Sequence, residues 1–111
     1  MAEVTLNDNQ LCTVLDLTDQ LEYQSDAIVS QTLLDGDSIT ITLFAVDEGQ
    51  RISEHSAPHE ALIQVIEGAA TITVEGTDRL LTAGQSIILA PKAPHALSGA
   101  ERFKMILVMA K

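Results

Sequence analysis

What most constrains this chain is a hydrophobic pattern that never settles into a helical period. Apolar residues alternate with polar ones or bunch into short runs, and each run is stopped by Gly, Asp or Pro. Residues 39–46 read Ile-Thr-Ile-Thr-Leu-Phe-Ala-Val before Asp47-Glu48-Gly49, and residues 71–75 read Thr-Ile-Thr-Val-Glu before Gly76. The same reading places strands at 11–17, 27–34, 61–66, 79–82, 86–89 and 103–110. Helix is limited to a turn near 17–22, where Thr18 can act as cap. Gly68 and Gly76 read as hairpin turns. Short strands repeating at about 8–12 residues predict an all-β sandwich or small barrel.

A chain of 111 residues, 46% of them apolar, supports one compact domain with a proper core. Its longest apolar run, residues 105–110, falls far short of the roughly 20 residues of a membrane span. The first ten residues are polar and acidic, unlike a secretory or transit peptide, so a cytoplasmic location is expected. The single cysteine, Cys12, has no internal disulfide partner and reads as a small buried hydrophobe.

Charge narrows the partners. Sixteen acids against six bases give −10. Residues 1–50 hold ten acids and no base, whereas residues 51–111 hold six of each. Nucleic acid needs a basic stripe and stacking aromatics, and Tyr23, Phe44 and Phe103 are too few. An anionic membrane surface is disfavoured for the same reason. In the last strand Phe103, Met105, Leu107 and Met109 lie on one face. Ile106, Val108 and Ala110 share the other with Lys104. Such a strand wants cover on both sides, which predicts a homodimer; the alternative is cover by the N-terminal residues of the same chain.

Ligand-type residues cluster once, in Glu54-His55-Ser56-Ala57-Pro58-His59-Glu60, with His95 following in Pro91-Lys92-Ala93-Pro94-His95. Along an unbent strand His55 and His59 would stand about 13 Å apart, too far for one ion. Pro58 marks a bend that can bring them together. Ser56 follows His55 directly, so the two side chains point to opposite faces and form no nucleophile–base pair. Arg51 and Arg79 can grip a carboxylate or simply stand solvated on strand edges.

Gly49, five residues, His55, then Gly68, Gly84 and Pro91-x-x-Pro94-His95 resemble the two motifs of small single-domain bacterial cupins of the RmlC-like type. The resemblance spans about residues 38–110 and implies a double-stranded β-helix, or jelly roll, normally dimeric. Residues 1–37 would then complete the barrel and the dimer, with 38–111 as the motif region of one structural domain. It also implies a metal held by three His and one Glu, and here the chain departs. Ala57 stands at the second His position and Ala61 at the Glu position. Ala90 and Lys92 stand where Pro and Gly are usual.

Two imidazoles fall below the three protein ligands usual at a catalytic metal. With His59 as third ligand, and Glu54 or Glu60 assisting, the set His55, His59 and His95 suits a divalent transition metal: Zn, Ni, Fe, Mn or Cu. Otherwise His55 and His95 form a hydrogen-bonded pair at the barrel mouth and His59 is a turn residue. The two alanines also leave room, so Ala57, Ala61, Ile63 and Val65, with Ile41 and Leu43, can line a pocket for a small organic molecule; larger side chains opposite can equally fill it. The chain therefore reads as a metal-dependent small-molecule enzyme, a metal-free ligand-binding or sensor module, or a structural barrel.

Overall fold

The computed structural model describes residues 2–5 and 11–111. Among them, nine strands and one helical turn run in the order β1 (Ala2–Thr5), α1 (Leu17–Gln20), β2 (Ile28–Asp35), β3 (Ile39–Val46), β4 (Arg51–His55), β5 (Ala61–Val74), β6 (Thr77–Thr82), β7 (Ser86–Leu89), β8 (His95–Ser98) and β9 (Phe103–Ala110).

Strand β5 organises the molecule. Its first half, from Ala61, lies between β9 and β7. Its second half, residues 69–74, lies between β6 and β8. On the first side β3 and β2 extend the sheet beyond β9, with β1 parallel to β2 at the edge. On the second side β4 lies beyond β8. Two sheets that share one bent strand face each other across a single core, which is a double-stranded β-helix.

Alternation explains which side chains fill that core. Phe44, Val46, Ile63, Val65, Ile72, Leu97, Phe103 and Met105 meet inside. The opposite parity of β3, Leu43 and Ala45, forms a second cluster on the outer face of the first sheet with Leu21 and Val29. Leu43 therefore does not face a lumen, and Ile41 shares its parity.

Gly68 is where the strand reading needs correcting. Segments 61–66 and 71–75 are not joined by a hairpin; residues 61–66 and 71–74 belong to the one 14-residue strand β5. The ladder to β9 shifts register between Val65 and Glu67, and Gly68 has a φ of +75°. A Cβ there would meet the Arg102 carbonyl oxygen at 2.1 Å, so only glycine lets β5 pass this close to β9 as it crosses between sheets. Gly76 does make a turn: Glu75 and Gly76, both left-handed, connect β5 to β6.

Residues 11–17 are not a strand. They turn and lead into α1, whose N-cap is Asp16 rather than Thr18. The Asp16 carboxylate accepts from the Thr18 amide and from its hydroxyl. With no partner strand, the alternating residues stay outside: Val14 is 100% exposed, and Cys12 is exposed in a left-handed turn instead of buried. Strands β1, β4 and β8 are additions to the sequence reading. They are short, and β4 and β8 are held by ladder pairing more than by apolar pattern.

The segment after α1 covers part of the outer face of β9, the intrachain alternative raised by its two apolar faces. Leu21 and Tyr23 pack there with Leu43, Ala45 and Ile106. Lys104 is buried beneath them; its ammonium donates to the Thr18 carbonyl and lies 3.6 Å from the Glu67 carboxylate. Tyr23 donates its hydroxyl to Glu67 at 2.6 Å, with Lys104 and Arg102 flanking the ring. Burial, and then Glu67, push the Tyr23 hydroxyl well above its ordinary range. Arg102 also binds Asp47, whose second oxygen accepts from the Asp26 amide. That amide and the guanidinium hold the Asp47 carboxyl below its usual range. No helix among the described residues is long and apolar enough to cross a membrane.

Candidate functional site

Strands β4 and β8 pair through His55 and His95, one directly opposite the other. The ladder shifts between Ile52 and His55. Strict alternation would send those two side chains to opposite faces; the bulge allows both to line one cavity. This cavity, about 230 Å³, is bounded by Phe44, Ile52, His55, Ile63, His95, Leu97, Met105 and Leu107. Among the described residues the histidines are its only polar side chains. His95 is buried, at 4% exposure, while His55 opens to solvent, so the pair spans the passage from interior to mouth.

The two rings meet edge-on, with centroids 4.2 Å apart. Each Nδ1 lies 2.9 Å from a main-chain carbonyl, Ser53 for His55 and Ala93 for His95. A carbonyl only accepts, so each Nδ1 carries the hydrogen and donates it. In the neutral ring Nε2 is then an acceptor, and neither Nε2 has a hydrogen-bond partner among the described residues. The one sealed, unpartnered side-chain atom among them is Gln31 Oε1, on the outer face, so the imidazole nitrogens open onto the cavity.

The remaining candidates lie apart from this pair. His59 is exposed on the bend after β4. That bend is pinned from both ends: the Ala57 carbonyl accepts from the Lys92 amide at 2.7 Å, and the Glu60 carbonyl from the Ala110 amide at 3.1 Å. Among the described residues, no three His, Cys, Asp or Glu side chains are grouped so as to hold an ion. Of the pocket candidates only Ile63 lines the cavity. Ala61 and Val65 are buried in the core, and Ala57 sits on the bend, partly exposed. Arg51 and Arg79 are exposed and lie outside the cavity.

Sequence reasoning did not assign Phe44, Ile52, Leu97, Met105 and Leu107 to the lining. The parity of β9 already put Met105 and Leu107 on one face, but on β3 the reading took the face of Ile41 and Leu43 where the lining residue is Phe44 on the other. Ile52 carried no such signal, because its position depends on the bulge. A larger recess of about 890 Å³ lies outside, along β6 and β7, lined by Leu80 and Ile88 among others. It is open, contains no histidine and does not reach the pair.

Residues 42–109 match the family described as cupin domain. A conserved protein of unknown function from Streptococcus pyogenes is 35% identical, with 97% of this chain and 95% of that one covered and a TM-score of 0.87. A cupin 2 conserved barrel domain protein from Leptotrichia buccalis is 32% identical over 87% of this chain and 47% of its own, at a TM-score of 0.84. A cupin superfamily protein from Desulfitobacterium hafniense is 26% identical over 81% and 83%, at 0.79. No curated protein matches.

Proposed function

The chain belongs to the cupin family, and from that premise we propose that its barrel binds a small organic molecule, with His55 and His95 as the polar contacts. The observation that carries this reading is the pair of unpartnered Nε2 acceptors in an otherwise apolar cavity. Polar groups in a folded protein are nearly always satisfied, by the protein, by water or by a ligand, so two acceptors side by side in an apolar cavity suit a small guest with hydrogens to give. At about 230 Å³ the cavity is smaller than a drug-sized pocket, so that visitor is small and largely apolar.

Cupins often bind transition metals, and the fixed Nδ1–H···O=C contacts are those a metal-binding imidazole adopts. The donor set, however, supplies two ligands and no carboxylate, short of the three expected at a resident catalytic metal. A weak, exchangeable divalent-ion site at His55 and His95 is the second reading. Elemental analysis of chelator-free protein separates the two. Well under one metal per subunit, with ligands that stabilise the wild type but not His95→Ala, supports metal-free binding. Near one metal per subunit, lost in both His55→Ala and His95→Ala, supports the ion instead. Loss in His59→Ala as well would mean the bend rearranges to give a three-histidine site.

The homodimer expected from the sequence finds support at a different face. Leu80 and Ile88, 65% and 71% exposed, lie on β6 and β7, each of which pairs only with β5 among the described residues. They belong to the electrically balanced residues 51–111, where two chains of net charge −10 meet with least repulsion. Light scattering should give twice the chain mass, reduced to the monomer in Leu80→Glu/Ile88→Glu; a monomeric wild type would refute the dimer.

A further inference from the structure

We infer that the cavity selects primary amines, its two histidines accepting hydrogen bonds from one ammonium group; the inference rests on the ligand-binding reading above. Among the described residues every polar atom the cavity offers through a side chain is an imidazole nitrogen, and both Nδ1 donors are already spent on Ser53 and Ala93. With neutral rings, what remains is acceptor only. A carboxylate or phosphate entering here would meet a donor only after a ring had taken up a proton. A hydroxyl brings one hydrogen and satisfies one ring. A primary ammonium brings three and can bridge two acceptors whose rings lie 4.2 Å apart.

The surroundings admit the same class. The mouth segment carries Glu54 and Glu60, both exposed, against exposed Lys92 on the facing loop and Arg51 at the start of β4, so the approach does not exclude a cation. His55 is exposed, so an ammonium seated at the pair keeps part of its hydration and avoids the full cost of burying a charge. Beyond the pair, Phe44, Ile63, Leu97, Met105 and Leu107 supply an apolar lining for a hydrocarbon tail. The ligand is thus a short amphiphile, with its amine at the mouth and its chain inward.

The test is calorimetric titration of full-length protein at neutral pH and low salt with hexylamine, hexanol, hexanoate and trimethylhexylammonium. Hexylamine should bind about tenfold or more tighter than hexanol, and hexanoate more weakly still. The quaternary ion keeps the charge but has no N–H, so it should lose about tenfold relative to hexylamine. His95→Ala and His55→Ala should each weaken hexylamine by a similar factor while retaining the wild-type circular dichroism spectrum. Equal binding of the quaternary ion would overturn the inference by assigning the attraction to charge alone. Equal or tighter binding of hexanol or hexanoate, still lost in His95→Ala, would overturn the amine class and leave the ligand-binding reading standing. No binding by any probe would remove both.

Discussion

The outer face of β9 and the barrel mouth treat polar side chains in opposite ways. On the outer face Lys104, Glu67, Tyr23, Arg102 and Asp47 form a continuous set of ion pairs, hydrogen bonds and ring contacts. At the mouth, two histidines each use one nitrogen on the main chain and leave the other without a partner among the described residues. Both regions place an ionisable group out of water, Lys104 at 6% exposure and His95 at 4%. The first satisfies its group within the fold, as stability requires. The second leaves its group incomplete, which is tolerable only where something else can complete it.

Substitutions should separate the two regions. Lys104→Ala removes the cation beneath Tyr23 and leaves Glu67 and the Thr18 carbonyl without it, at an expected cost of about 2–3 kcal/mol. His95→Ala frees one carbonyl and opens space, costing about 1–2 kcal/mol. His55→Ala, at an exposed position, should change stability by less than about 0.5 kcal/mol. Chemical denaturation measures all three. A His95→Ala loss as large as that of Lys104→Ala would erase the contrast and make the mouth pair structural.

The outer set was the less legible of the two in the sequence. Lys104 was visible as the one charge in an apolar strand, but its partners lie far along the chain, at Thr18 and Glu67. Nothing local announces such a meeting. His55 and His95 were readable because a motif spaces them; they do stand opposite each other, but ring edge to ring and each bonded to a main-chain carbonyl, not hydrogen-bonded to each other as the alternative reading had it. Their tautomer was not readable, since it depends on which carbonyl each Nδ1 reaches. Likewise, alternation sorted the residues of β3 and β9 by face but did not say which face turns inward: Ile41 and Leu43 read toward the lumen, whereas Phe44 and Val46 fill it. It failed outright at Ile52 and Gly68, where bulges break the period of two.

Acid should act on the outer set first. Asp47 has a lowered carboxyl pKa in the fold, chiefly through the Asp26 amide and then Arg102. Its contribution is therefore full above the unfolded carboxylate value, about 4, and is lost as pH falls through the lower folded value. Melting temperature should drop over that range, and Asp47→Asn should be less stable at neutral pH with a shallower acid-side fall. An unchanged acid slope in the variant would show that other carboxylates set the limit.

The smallest effect lies at the mouth itself. Lys92 adopts a φ of +65° between Pro91 and Pro94, and its amide ties this loop to Ala57 on the facing bend. A left-handed lysine carries about 1–2 kcal/mol of strain that glycine would not. Glycine returns part of this gain, about 0.5–1 kcal/mol, through the greater freedom of the unfolded chain. Lys92→Gly should therefore stabilise the protein slightly, by about 0.5 kcal/mol, with hexylamine affinity unchanged because the Lys92 side chain does not line the cavity. A loss of stability would mean that the lysine side chain itself holds the mouth. The division between the self-satisfied set around Lys104 and an incomplete mouth would then be less sharp than the hydrogen bonds indicate.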